Sequence, residues 1–129
     1  MAAMATRRDI WRPTVRAEVI GPATVLTVNG RLGEAGARDP ALRAAQADNN
    51  ATRAVVLDIS GVDYVSSPGL ALLETLAADA ATTGRVLVVC GVTDPVRMAL
   101  DLSGVSRTLT CVATLHEAMA RVEALMPMP

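Results

Sequence analysis

Three long apolar runs, separated by helix-start signals, constrain the fold of this chain more than any other feature of its sequence. The runs are AVVLDI at 54–59, RVLVVCG at 85–91 and RTLTCVA at 107–113. Strands that are apolar on both faces are typical of a parallel sheet covered by crossover helices. The sequence of 129 residues is long enough for one such domain.

Four helix starts are predicted around these runs. The first three place a capping side chain before a proline, whose fixed φ suits the first helical position, and the fourth, Thr114 with Glu117, is typical of a capping box. The four starts lie at 39–40, 67–68, 94–95 and 114–117. Gly84 and Gly104 are predicted to end the second and third of these helices.

The N-terminal third begins differently. Residues 1–13 are predicted to be a flexible arm, and residues 14–126 a single domain. TVRAEV at 14–19 alternates in polarity, and a Gly-Pro turn separates it from TVLTVNG at 24–30, so a β-hairpin is expected. The predicted architecture is α/β: a mixed, mostly parallel sheet of about five strands with about four helices.

Charge and hydropathy argue against several classes of function. The net charge is −1, and the 12 basic residues, all of them arginine, form no basic block, so direct nucleic-acid binding is not expected. The longest apolar run is far short of the roughly 18 residues that a membrane span needs. The N-terminus lacks the apolar region of a secretory signal, so a cytoplasmic location is expected.

The sequence shows no catalytic motif, metal-ligand cluster or cofactor signature, so no enzyme, metal or cofactor is expected. His116 is the only histidine. Asp58, at the end of an apolar run, is interpreted as an Asx-type turn residue. A response-regulator receiver domain would also need an acidic pair and a lysine, and the chain has no lysine.

The two cysteines, Cys90 and Cys111, lie in apolar runs and are expected to be buried, reduced thiols. One alternative stays open at this point. If the two strands are neighbours, the cysteines could form a redox pair.

The central stretch VVLDISGVDYVSSPGLALL, at 55–73, resembles the signature of STAS domains, in particular of stand-alone bacterial anti-sigma factor antagonists. A second stretch, PVRMALDLSGVSRTLTCVATLHEAM at 95–119, is similar to the third helix, last strand and final helix of that family. Together with the element order, the resemblance covers about residues 14–125. It implies a STAS-type domain.

The resemblance also implies a function. Family members bind an anti-sigma factor, often a serine kinase of the histidine-kinase-like ATPase fold, and thereby release a sigma factor in transcription regulation and stress response. The kinase phosphorylates a serine at the start of the second helix, and a phosphatase resets the switch. That position falls on Ser67, so the chain is expected to be a phosphoprotein and a monomer or weak dimer. The implied partner-binding residues are Gly33, Glu34, Asp63, Tyr64, Ser66, Ser67, Pro68, Gly69 and Leu70.

Several alternatives remain open. The chain departs from the family pattern at Gly33, Ser66 and Pro68, and Ser67 is also the predicted N-cap of its helix, a role that needs no phosphate. Tyr64 either anchors a partner or packs as a half-buried ring. At the level of the whole domain, the alternatives are a ligand-sensing or scaffold STAS module that binds a nucleotide or lipid, and a redox-regulated antagonist.

Overall fold

The computed structural model describes residues 14–32 and 52–125. The expected flexible arm, the helix predicted to start at 39–40, and the candidate residues Gly33 and Glu34 lie outside these ranges.

Nine elements follow one another along the described chain. They are β1 (Thr14–Ile20), β2 (Ala23–Leu32), β3 (Ala54–Val65), α1 (Ser67–Thr83), β4 (Val86–Cys90), α2 (Asp94–Ser103), a 3₁₀ helix (Val105–Arg107), β5 (Cys111–Val112) and α3 (Leu115–Leu125).

One five-stranded sheet forms the centre of the domain, with its strands in the order β1-β2-β3-β4-β5. β1 and β2 pair antiparallel as a hairpin, and every other neighbouring pair is parallel. The predicted α/β class, the N-terminal hairpin and the mixed five-stranded sheet are therefore confirmed.

The sheet is covered on both faces, which explains the continuous apolar runs. In β3, Val55 and Leu57 belong to one core cluster, whereas Ala54 and Val56 belong to the other. The first cluster takes its helical residues from α1 and α2, and the second takes them from α3. Because successive side chains of a strand point to opposite faces, a strand between two helical layers must be apolar throughout.

β3 is twice as long as the apolar run at 54–59 that predicts it. The strand continues to Val65 and pairs with the end of β2, where the register shifts between Thr27 and Asn29 and again between Gly30 and Arg31. Gly61 makes this pairing tight, because a Cβ at that position would lie 2.8 Å from the Asn29 side-chain carbon Cγ. Polar residues in this extension interrupt the two-faced apolar pattern, so residue polarity does not predict a strand beyond residue 59.

The run at 107–113 is also shorter as a strand than expected. Its first residues form 3₁₀ bonds, with the Arg107 N–H donating to Gly104 O at 3.2 Å and the Thr108 N–H donating to Val105 O at 2.9 Å. The Thr108 hydroxyl donates to the same Val105 carbonyl at 2.8 Å. These local bonds use groups that a longer strand would need, so β5 keeps two residues.

The helix ends follow the sequence closely. Gly84 and Gly104 adopt left-handed φ values of 72° and 82° just after α1 and α2, so both predicted terminators are confirmed. At the start of α3 the Glu117 N–H donates to the Thr114 hydroxyl at 3.1 Å. The Glu117 carboxylate accepts a bond from the Ala113 N–H at 3.5 Å, one residue before the position expected for a full capping box.

The starts of α1 and α2 are one residue earlier than predicted. The N-caps are Ser66 and Thr93 rather than Ser67 and Asp94, and neither makes a side-chain capping bond. The Thr93 hydroxyl instead donates to Val62 O at 2.9 Å and joins the start of α2 to the end of β3.

Gly69 lies where α1 crosses the end of β2. A Cβ there would overlap the Leu32 carbonyl oxygen and would lie 2.8 Å from the Val65 methyl carbon Cγ2. The first turn of α1 therefore rests directly on the β2 backbone, and only glycine permits this approach.

The two cysteines occupy opposite faces of the sheet. β4 and β5 are neighbours, but Cys90 pairs with Val112 and Cys111 pairs with Val89. Cys90 belongs to the cluster under α3, whereas Cys111 packs against the cluster under α1 and α2. The redox-pair alternative is therefore wrong, because the two sulfur atoms lie on different sides of the backbone.

Replacing Gly69 with alanine should lower the free energy of unfolding by up to about 2 kcal/mol. Helix propensity favours alanine by about 1 kcal/mol, but overpacking against a backbone carbonyl costs about 1–3 kcal/mol. Urea unfolding measures the sum. The variant Ala78→Gly, at an exposed site of the same helix, calibrates propensity alone. A Gly69→Ala protein about 1 kcal/mol more stable than wild type would contradict the close approach.

The Cys90 thiol should react slowly in the folded protein. Burial, and secondarily the Asp58 carboxylate, raises the pKa of Cys90 to about 11. An unfolded cysteine has a pKa of about 8.5, so at pH 8 the folded thiolate is depleted roughly a hundredfold or more. Because the folded pKa is the higher one, the thiol's contribution to stability is present below pH of about 8.5 and is lost as the pH rises towards 11.

Alkylation with iodoacetamide in a Cys111→Ala background measures this reactivity, with the urea-unfolded protein as the reference. The intact mass of the wild-type protein should be the same under oxidising and reducing conditions. Rapid native alkylation at pH 8, or an intramolecular disulfide, would contradict the placement of the two thiols.

Candidate functional site

The candidate site lies where β2 and β3 end and α1 begins. The Ser66 N–H donates to Leu32 O at 2.9 Å, which ties the connection between β3 and α1 to the end of β2. In open α/β sheets, ligands and partners commonly bind at this carboxyl edge of the strands. The residues that the sequence singled out between Asp63 and Leu70 are therefore gathered at one end of the sheet.

Ser67 is exposed and is the first residue of α1, not its N-cap. The Leu70 N–H donates to Ser66 O at 2.8 Å, and this first intrahelical bond makes Ser66 the cap position. The interpretation of Ser67 as the N-cap is therefore wrong. Its exposed position at the helix start is compatible with chemical modification, since no capping bond occupies its hydroxyl.

Ser66 has the opposite environment. Its Oγ is buried and has no hydrogen-bond partner within the described ranges, and its backbone is extended, with φ −96° and ψ 176°. The two adjacent serines thus differ in environment: the Ser66 hydroxyl is buried, whereas Ser67 is exposed to solvent. Sequence reasoning could not assign these orientations, since either serine satisfies the preference for a hydroxyl near a helix start.

Pro68 and Gly69 shape the first turn of the helix. Pro68, which is exposed, fixes φ and contributes no N–H group. Gly69 is buried against Leu32, as described above, and Leu70 is half-buried. Ser67 therefore sits on a stiff turn whose position is set by the backbone of β2.

Tyr64 presents an aromatic surface next to this turn. Its side chain is 48% exposed, and the Arg31 guanidinium carbon lies 5.2 Å from the ring centroid. The two residues are register partners across β2 and β3. A cation at this distance from an aromatic ring is attracted by about 0.5–1 kcal/mol at an exposed site. The ring is thus more exposed than the packing alternative expected, and it contacts Arg31.

Arg31 is the member of this site that sequence reasoning missed. Its pairing with Tyr64 depends on the register shift between Gly30 and Arg31, which no local pattern in the sequence reveals. Asp63, by contrast, is exposed beside Tyr64 as expected of a surface residue. The exposed surface of the site thus carries an aromatic ring, an arginine, a carboxylate and the residue Ser67.

Asp58 lies at the point where β3 changes register. Its Oδ1 accepts a hydrogen bond from the Ser60 N–H at 3.0 Å, which is the local bond that an Asx-type residue makes. Asp58 is half-buried, and its carboxylate bonds within its own strand. The geometry corresponds to a structural role.

No group of three or more His, Cys, Asp or Glu side chains in residues 14–32 and 52–125 could hold a metal ion. Over the same described part of the chain, the structure contains no helix that is both long and apolar enough to cross a bilayer.

Similar solved structures include a crystal structure of an anti-sigma factor antagonist from Mycobacterium paratuberculosis. It is 25% identical, has a TM-score of 0.71, and the match covers 86% of this chain and 94% of that one. The phosphorylated form of the Bacillus cell fate determinant SpoIIAA is 17% identical, with a TM-score of 0.64 and coverage of 84% and 99%.

A sulfate transporter family protein from Wolinella succinogenes is also similar. It is 20% identical, has a TM-score of 0.73, and the match covers 84% of this chain and 90% of that one. No curated protein sequence matches the chain.

The family model for the STAS domain matches residues 14–118. This span contains all five strands, the α1 turn with its two serines, and the beginning of α3. The chain therefore belongs to the STAS domain family.

Proposed function

We propose that this protein is an anti-sigma factor antagonist that acts by binding rather than by catalysis. In this proposal its partner is an anti-sigma factor, and binding releases a sigma factor in the bacterial cytoplasm as part of a stress response. The observation that carries the proposal is the exposed Ser67 at the first position of α1, at the carboxyl edge of the sheet. The similarity to the antagonist from Mycobacterium paratuberculosis supports it.

The partner-binding surface is proposed to consist of Asp63, Tyr64, Ser67 and Pro68, all of which are exposed. Tyr64 supplies an aromatic ring of the kind that is enriched at binding hot spots. The Arg31 guanidinium holds that ring across the strand pair. The rigid turn at Pro68 and Gly69 reduces the ordering that association would otherwise require.

Phosphorylation of Ser67 is proposed to turn binding off. The partner would be a serine kinase of the histidine-kinase-like ATPase fold, and a phosphatase would reset the switch. A phosphate adds about −1.5 to −2 charge at pH 7. The positive end of α1 stabilises a nearby negative group by about 0.3–1 kcal/mol, so the domain tolerates the modification.

The same charge penalises the complex. Within a contact surface, a phosphate must lose water, and any carboxylate of the partner repels it. The same surface carries the exposed Asp63 carboxylate and the exposed Arg31 guanidinium. A penalty of about 3 kcal/mol would weaken the affinity roughly a hundredfold.

The variant Ser67→Glu should bind the cognate anti-sigma factor about a hundredfold more weakly than wild type, with an unchanged midpoint of urea unfolding. Ser67→Ala should retain binding but resist phosphorylation. Isothermal titration measures the affinity, and mass spectrometry of the kinase-treated protein locates the phosphate. Thr82→Glu adds the same charge at an exposed position near the other end of α1 and is the matched control.

Unchanged affinity of Ser67→Glu would remove Ser67 from the switch. Failure of the wild-type protein to bind any anti-sigma factor would overturn the proposed function itself.

Tyr64→Ala should weaken the same complex by about thirtyfold, which corresponds to a hot-spot loss of about 2 kcal/mol. Tyr64→Phe should bind nearly as wild type, because the ring and its contact with Arg31 remain. Urea unfolding of both variants separates binding from stability. Equal affinities of the alanine variant and the wild type would show that the ring only packs on Arg31.

A further inference from the structure

Strand β1 forms one edge of the sheet, and its outer side has no neighbouring strand within residues 14–32 and 52–125. An edge strand presents a row of unpaired N–H and C=O groups to which another strand can bind. β1 pairs with β2 over all 7 of its residues without a register shift, and it contains no proline. The edge is therefore regular and lacks the bulge or proline that would block pairing.

The turn of the hairpin determines which backbone groups of β1 face outward. Ile20 and Ala23 are register partners across a two-residue turn that ends in Pro22. Because proline has no N–H, the last hydrogen bonds of the hairpin are those that Ile20 and Ala23 exchange. Bonded and non-bonded positions alternate along an antiparallel pair, so every second residue of β1 directs its N–H and C=O away from β2. These residues are Val15, Ala17 and Val19.

The side chains of β1 are also left without partners. Val15, Ala17 and Val19 share one face, where Val15 is half-buried, Ala17 is exposed and Val19 is 66% exposed. Arg16 and Glu18 are exposed on the other face, and their register partners in β2 are uncharged. In the part of the chain that the structure describes, neither charge is engaged in an ion pair or hydrogen bond.

The strand is complementary to a second copy of itself that runs in the opposite direction. When two β1 strands pair about Ala17, Val15 lies opposite the second copy's Val19, and Arg16 lies opposite the second copy's Glu18. The outward backbone groups then face one another, and the Ala17 N–H donates to the second copy's Ala17 O. The apolar stripe becomes continuous on one face, and two pairs of opposite charge form on the other.

The charges also select this register. Moving the centre of the pair by one residue places either Arg16 opposite Arg16 or Glu18 opposite Glu18. Like charges directly opposite each other destabilise a strand pair, whereas opposite charges stabilise it. The arrangement centred on Ala17 therefore combines bonded backbones, matched apolar side chains and matched charges.

We propose that two copies of this protein associate through their β1 strands, paired antiparallel about a two-fold axis at Ala17, so that their two sheets become continuous. A strand of 7 residues is smaller than one side of a standard interface, which has roughly 20–30 residues, so the dissociation constant should be on the order of 0.1 mM. β2 separates β1 from β3, which carries Tyr64. The inference therefore does not depend on the proposed function.

Sedimentation equilibrium of the full chain, from about 10 µM to about 1 mM, measures this association. Ala17→Pro should weaken it about tenfold or more, because proline removes one intersubunit N–H donor from each copy. The hairpin keeps its own bonds, since the Ala17 N–H points away from β2, and the midpoint of urea unfolding checks that the fold is intact. Ala17→Ser retains the N–H and is the matched control.

Reversal of the charges tests the register. Arg16→Glu and Glu18→Arg should each weaken self-association about tenfold, because like charges then lie opposite each other. An equimolar mixture of these two variants should associate as the wild type does, since every charge then faces one of opposite sign. Glu123→Arg makes the same change at an exposed position of α3 and should leave the association unchanged.

A wild-type protein that remains monomeric at about 1 mM would overturn the proposal. So would a dimer that neither Ala17→Pro nor the charge reversals weaken, because another surface would then form it. Hydrogen exchange of the Val15, Ala17 and Val19 amides should slow as the protein concentration rises. Exchange that is equally slow at about 10 µM would show that another segment of the same chain covers the edge, which would also overturn the proposal.

Discussion

Burial of β3 on both faces is the constraint on which the other elements depend. Val55 and Leu57 contribute to the core beneath α1 and α2, while Ala54 and Val56 contribute to the core beneath α3. Removing such a strand from water requires a helical layer on each side and a hydrogen-bonded neighbour at each edge. β2 and β4 are the two neighbouring strands. Because β3 is held between them, its end fixes the position at which α1 begins.

The same constraint explains which parts of the fold could be predicted. A strand buried on two faces must be apolar along its length, so AVVLDI and its two companions identified the parallel sheet. The extension from Ser60 to Val65 is held by backbone pairing with β2 and by close contact at Gly61. Backbone pairing does not require a periodic pattern of polar and apolar side chains. The register shifts that place Arg31 beside Tyr64 therefore could not be predicted from the sequence.

The serine pair shows a second limit of sequence reasoning. Hydroxyl preference and a following proline locate a helix start to within about one residue, because neighbouring positions satisfy the same local rules. Here a tertiary hydrogen bond determines where the helix starts. The Ser66 N–H donates to Leu32 O, which holds Ser66 in an extended conformation, and Ser66 is therefore the N-cap. That single-residue difference turns Ser66 inward and leaves Ser67 exposed, and the resemblance to the family had placed the modification on the exposed one.

Exposure of Ser67 and burial of Ser66 Oγ also bear on how a charge at this end would act. The site sits on a helix whose first turn rests on the β2 backbone at Gly69, and a well-packed contact of this kind has little freedom to adjust. A phosphate on Ser67 would therefore change the potential of the surface rather than the path of the chain. A switch of this type needs no conformational change in the antagonist, because the penalty arises when the partner's surface replaces water around the new charge.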